Sequence, residues 1–150
     1  LAENKDGPKY YIPYREVVHE STTTPLRIVF NATSAAKGCI SLNESLMKGP
    51  VIQKDLFDIL LKMREYVVLY VAEKMYRMIW LHPDDRDMQR ILWRGNSNQE
   101  IKEYTLNTVT YDRVPASFLA TKCLQKCAEM VNGEKAAQAI KENFYMDDSY

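Results

Sequence analysis

The sequence predicts a mixed α+β fold, a sheet with helices packed on one face, and three observations predict it. The chain alternates between aromatic or β-branched runs and segments with helical apolar spacing, in the order ββ-α-β-αβ-β-α-β. Its 150 residues give one domain enough material for a real core. Its hydrophobic fraction of 46% and charged fraction of 27% are those of a folded protein, not of a disordered segment.

Each element follows from its residues. "YYIPYREVV", residues 10–18, and "LRIVF", residues 26–30, are strand-like, and the Ser-Thr-Thr-Thr-Pro chemistry between them makes residues 10–31 a β-hairpin. Pro13 cannot donate to a ladder and keeps this hairpin away from the middle of a sheet. "SAAKGCISLNESLMKGP" reads mostly as loop. In "QKDLFDILLKMRE", Leu56, Ile59, Leu60 and Met63 recur on one face of a helix. "YVVLYVA", Tyr66 to Ala72, is apolar throughout and suits a strand buried on both faces. "EKMYRMIW" leaves that strand, and "HPDDRDMQRILWR" is a proline-marked turn ending in an apolar run. "GNSNQE" is a hairpin-like connection, and "IKEYTLNTVTY" alternates as a strand. After Pro115, a first-turn proline, Ala120, Leu124, Cys127, Ala128 and Val131 share a helical face. Asn132-Gly133 reads as the C-cap of that helix, "EKAAQAIKEN" as a second helix, and "FYMDDSY" as a return to strand and turn.

The charge balance narrows the function classes. Lys+Arg and Asp+Glu are 20 each, so nucleic-acid binding needs a local basic patch, not a bulk excess. No apolar run approaches the ~20 residues that span a bilayer, and no secretory pattern opens the chain, so no membrane partner is expected. Cys39, Cys123 and Cys127 form no Cys-x-x-Cys pair. Cys123 and Cys127 are expected to be small buried hydrophobes on one helical face. Unpaired thiols point to a reducing, intracellular setting. With only His19 and His82, no imidazole cluster exists.

Several segments together carry a family likeness: "LRIVFNATS", "SLNESLMKGPVIQKDLFDILLKMR", "EKMYRMIWLHPDDRDMQRILWR", "LNTVTY", "FLATKCLQKCAE" and "FYMDD". In this order, over roughly residues 10 to 148, the chain resembles the reverse transcriptase of the Pao (BEL) family of long-terminal-repeat retrotransposons. The resemblance implies a single unit over residues 1–150, a right-hand fold with fingers near 10–65 and 80–112. Part of the palm falls near 66–79 and 113–150. The fold would stop after the Tyr-Met-Asp-Asp turn, with thumb, RNase H and integrase segments absent. The activity implied is RNA-directed DNA synthesis, an in-line phosphoryl displacement clamped by two magnesium ions, with template-primer and a deoxynucleoside triphosphate as partners. Asp147 and Asp148 would be the magnesium ligands, and Met146 would lie near the primer end. Arg27 would hold the incoming triphosphate, for which a guanidinium fork is geometrically suited. Tyr76 would be the ring that blocks a ribose 2′-hydroxyl. The family has a basic residue shortly before the arginine, where this chain offers His19.

Two departures touch the chemistry. The family's central palm strand resembles Ala-Asp-Ile followed by Glu-Lys-Met, where this chain reads "YVAEKMYR". Either Val71 stands in place of the aspartate, or an Asp-Ile pair is deleted and Glu73 follows Ala72 in its place. Deletion of two strand residues preserves facing and draws Tyr76 about 6.6 Å closer to the strand. The catalytic reading is therefore a polymerase fragment that has lost its first palm aspartate and synthesises little. Beside it stand a non-catalytic nucleic-acid-binding remnant, with Arg27, Lys37, Lys48 and Lys54 as phosphate contacts, and a domesticated interaction domain. The second departure is Asp112-Arg113, where the family has a glycine and small residues close to the base pair. A carboxylate there is expected to oppose phosphate.

Overall fold

A computed structural model describes residues 1–2, 6–18, 20, 25–65 and 72–146. The fold is mixed α+β, with two small antiparallel sheets and helices. Of the expected central strand over 66–72, residues 66–71 lie outside the described residues, as does His19, and Ala72 is in no described strand.

The first hairpin forms as its residues require. β1 (Tyr14–Val18) pairs antiparallel with β2 (Leu26–Phe30), Tyr14 opposite Phe30 and Val18 opposite Leu26. Period-two alternation turns Ile28 and Phe30 inward and leaves Arg27 and Val29 outward. Phe30 joins Ile12, Ala32 and Leu42 in a core flanked by Tyr10, Tyr14, Leu46, Met88, Ile91 and Leu106.

Within the segment expected to be loop, a short helix α1 (Leu42–Ser45) forms. Its cause is a capping box: Ser41 accepts from the Glu44 N–H, and Glu44 accepts from the Ser41 N–H at 2.7 Å. Leu42, wholly buried, secures it. α2 (Leu56–Met63) starts at Asp55, whose carboxylate accepts from the Phe57 N–H. Of its expected apolar face, Ile59 is buried and Met63 half-buried, while Leu56 and Leu60 stay exposed.

A 3-10 turn over Met75–Met78 and another over Pro83–Gln89 lead into β3 (Arg90–Trp93), which pairs antiparallel with β4 (Lys102–Thr105). The strand expected over 101–111 changes partner after Thr105. Leu106 N–H donates to Gln89 O, and Val109 N–H to Ile79 O. A bridge joins Trp80 to Thr108. In place of one mixed sheet, the described strands make two ribbons, with a single parallel bridge from Tyr11 to Arg90 on the β3–β4 side.

α3 (Ala116–Met130) buries Ala116, Ala120 and Ala128. Cys127 and Val131 of its expected face are exposed and Cys123 is half-buried, so the cysteines are not a buried pair; all three thiols are free. Gly133 (φ 143°) proves to be the N-cap of α4 (Glu134–Asn143), not the C-cap of α3, which ends at an extended Val131. No helix among the described residues is long and apolar enough to cross a membrane.

The β3–β4 ribbon is organised around a buried cation. Arg90 is 1% exposed, and its guanidinium donates to Asp87 and Glu103, each at 2.8 Å. Tyr11 Oη donates to the same Glu103 carboxylate at 2.8 Å. The Tyr11 hydroxyl first, and Arg90 second, hold the Glu103 carboxyl below its ordinary range. Arg90→Leu is expected to lower unfolding free energy by about 3 kcal/mol or more in urea titrations, because two carboxylates lose their common counter-ion. For Glu103 the folded state prefers the ionised form. Its contribution is therefore complete above the ordinary carboxylate pKa near ~4.3 and disappears as pH falls through the lower folded value. The stability gap between the native chain and Glu103→Gln should accordingly close as pH falls below the ordinary carboxylate range, as urea midpoints would report.

Candidate functional site

The residues around the site stand on irregular backbone, so the first question is what holds that backbone. Unpaired backbone amides and carbonyls are costly when buried, and here side-chain amides take the place of strand partners. Asn43 donates to Asp112 O at 2.9 Å and accepts from Val114 N–H at 3.0 Å, bracketing Asp112-Arg113-Val114. Gln89, wholly buried, donates to Leu106 O and to Thr108 O, and accepts from Thr110 Oγ1 and from Arg113 Nη1. Gln53 donates to Met146 O at 3.4 Å and accepts from Met146 N–H at 3.2 Å.

Asp112 has φ of 68°, in the left-handed region that favours glycine. Aspartate tolerates it better than most residues, and its carboxylate accepts from the Ala32 N–H at 2.9 Å. That bond ties residue 112 to the loop after β2. Arg113 is half-buried. Its Nε is buried without a hydrogen-bond partner, and desolvation lowers its proton affinity with only Asp85 opposing.

Tyr111 links two of the expected contributors. Its hydroxyl accepts from Arg77 Nη2 at 3.0 Å and donates to Ile28 O at 3.4 Å. The Arg77 guanidinium also lies 5.5 Å from the Tyr111 ring centre, and the Phe30 ring is 5.8 Å away. The strand bearing Arg27 and the 3-10 turn bearing Tyr76 are thereby tied through one residue. Arg27 itself is exposed on the outer face of β2. Tyr76 is half-buried in its turn, entered through Lys74 at φ 53°.

Met146 is 9% exposed, at the end of an extended stretch following α4. The stretch belongs to no described strand; Met146 is held by Gln53 instead. Asp147, Asp148 and Val71 lie outside the described residues. Glu73 is exposed, with its carboxylate 3.2 Å from Lys74 Nζ. Among the described residues no group of three or more His, Cys, Asp or Glu converges as a metal site. Of the expected phosphate contacts, Lys37 and Lys48 are exposed, whereas Lys54 lies 3.7 Å from Glu142.

Sequence reading missed Asn43, Gln53, Gln89 and Tyr111. A buried amide carries no periodic signature, and a tyrosine at a strand end looks like any half-buried aromatic. No family model, curated protein or solved structure matches the chain.

The Asp112 geometry yields an order of stabilities. Asp112→Asn keeps both the left-handed tolerance and an acceptor for Ala32, so its melting temperature should match the native one. Asp112→Ala loses the hydrogen bond and, with it, the short polar side chain that makes a left-handed backbone tolerable, costing about 2–3 kcal/mol in all. Asp112→Gly loses the bond but relieves the backbone, and should fall between the two in thermal melts.

Proposed function

We propose that this chain is the fingers and partial palm of a Pao-type reverse transcriptase in which the first palm aspartate is missing. On this reading it engages template-primer and triphosphate but synthesises little DNA. The observation that carries it is the backbone at Asp112. The family has a glycine and small residues in the region of Asp112-Arg113, and Asp112 has the positive φ for which glycine is suited. The aspartate is thus read as a later occupant of a glycine's conformation, retained through its bond to Ala32.

Further support is local. The β1–β2 hairpin presents Arg27 on its outer face, where a guanidinium is available to phosphate. Tyr111 connects that hairpin to the turn carrying Tyr76. Asp147 and Asp148 would supply oxygen ligands to magnesium, whose role when bound is to polarise the phosphoryl group and clamp entering and leaving oxygens. Glu73 meets Lys74 at the surface, its carboxylate 3.2 Å from the Lys74 ammonium.

A non-catalytic nucleic-acid-binding role is the second reading, favoured by the exposed Arg27, Lys37 and Lys48. One experiment separates the two. A labelled RNA-template/DNA-primer duplex is titrated at low and moderate salt, then challenged with magnesium and triphosphates. The native chain should bind with affinity that falls steeply as salt rises, and extend the primer barely or not at all. Insertion of Asp-Ile between Ala72 and Glu73 should raise extension at least about tenfold, since placement near 1 Å governs ~100-fold in such chemistry. Binding without gain on insertion favours the second reading, and no binding at low salt removes both.

A further inference from the structure

We propose that Asn132 is a site of spontaneous covalent modification, converting to aspartate and isoaspartate in the connection between α3 and α4 of the folded chain. The inference is independent of the polymerase reading. It follows from what the fold demands of the next residue.

Gly133 enters α4 with φ of 143° and ψ of 115°, a positive φ that favours glycine. The turn between the two helices therefore selects a residue without Cβ directly after an asparagine. A Cβ at Gly133 would meet nothing within 4 Å, so that flank of the residue is open. Asn132 and Gly133 are both exposed. Among the described residues, no hydrogen bond engages the Asn132 side-chain amide or the Gly133 N–H.

These features suit one reaction. Hydroxide removes the Gly133 amide proton, and the nitrogen attacks the side-chain carbonyl carbon of Asn132. A new C–N bond forms, the bond to the side-chain nitrogen breaks, and ammonia leaves with a proton returned from water. The product is a five-membered succinimide. Water opens the ring at either carbonyl: at the side-chain carbon it gives aspartate, at the backbone carbon isoaspartate, whose main chain is one methylene longer. Solvent supplies every co-reactant. A side chain on the following residue would crowd ring closure, and glycine has none.

The other asparagines show why structure singles out this one. Asn96 is equally exposed and precedes the small Ser97, but its Oδ1 accepts from Asn98 N–H at 3.2 Å and its C=O from Gln99 N–H at 3.2 Å. Its turn must open before the ring can close. Asn31 Oδ1 accepts from Thr33 Oγ1 at 2.8 Å, and the Asn43 amide is spent on Asp112 and Val114. Conversion at Asn132 also changes the molecule measurably. Lys+Arg and Asp+Glu balance at 20 each, so one new carboxylate gives the chain a net negative charge. Isoaspartate lengthens the connection between two helices that pack together.

The test holds the full native chain folded, at constant temperature, in buffers of increasing pH. Isoelectric focusing and peptide mass spectrometry follow it with time. A more acidic species should accumulate at a rate that rises with hydroxide, its 132-containing peptide heavier by the difference between a hydroxyl and an amino group. Enzymatic methylation of the isoaspartyl carboxylate identifies that product. Asn132 should convert at least about tenfold faster than Asn96, whose two turn hydrogen bonds must first break. Asn132→Gln, which would have to close a six-membered ring, should lose the acidic species. Chain unfolded in urea serves as the reference for each asparagine. The proposal is overturned if folded Asn132 stays intact, whether or not the unfolded chain converts, or if Asn96 converts as fast.

Discussion

The fold depends on one neutralised charge. Arg90 brings a guanidinium into the interior at the start of β3, a placement costing several kcal/mol unless the ion is paired and hydrogen-bonded. Three segments meet that demand: Asp87 from the turn before it, Glu103 from β4, and Tyr11, which reaches Glu103 from the N-terminal segment. The backbone follows the same path. Tyr10 accepts from Arg90 N–H at 2.9 Å, and Ile12 donates to Arg90 O at 2.8 Å. The apolar core of Ile12, Phe30, Ala32 and Leu42 then assembles where Ile12 enters and the first hairpin returns. Such a cluster specifies register more than it adds stability, because only one alignment of β3, β4 and residues 10–12 satisfies all four polar groups.

A second principle operates where the ladders end. The described sheets are two-stranded, so much extended backbone runs without a strand neighbour. Asn43, Gln53 and Gln89 each answer this by turning a side-chain amide onto main-chain groups. An amide can mimic a strand only locally, serving one to three residues, and it binds points rather than lengths. The points served are Asp112–Val114, Met146 and Leu106–Thr108. On the proposed reading, the first two fall near the base pair and on the approach to Asp147. Rigid points on otherwise free backbone suit loops that must meet a ligand with fixed geometry.

Periodic features were legible in the sequence and singular ones were not. The hairpin around Arg27, the helix over Leu56–Met63, and the helices after Pro115 and Gly133 all follow from apolar spacing or turn chemistry. The helix at Leu42 was missed because a four-residue element has no period to read; its capping box, Ser41 with Glu44, was the available signal. Gly133 was assigned to the wrong helix because a glycine between two helices suits either end, and only the backbone angles decide. The apolar face of α2 was read correctly as a stripe, yet only Ile59 is buried, since spacing reports which residues align and not what covers them. At the site, Arg27 and Tyr76 were nameable from the motif string. Gln53 was not, because its partner is a backbone ninety-three residues away.

The chemical consequence turns on how carboxylates are distributed. Two metal ions in a phosphoryl-transfer site bring several units of positive charge into a small volume, and the protein offsets them with acids that converge before the ions arrive. Convergence is costly for the apo protein, because like charges within hydrogen-bond range raise one another's pKa. Glu73 has the ammonium of Lys74 as its neighbour at 3.2 Å, and both side chains are largely solvated. A glutamate so neutralised has little reason to leave solvent for a cation site unless the cations draw it there. The closely built points among the described residues are those where side chains hold backbone. On the proposed reading, loss of one acid removes turnover first, while the backbone points held by Asn43, Gln53 and Tyr111 do not depend on that acid.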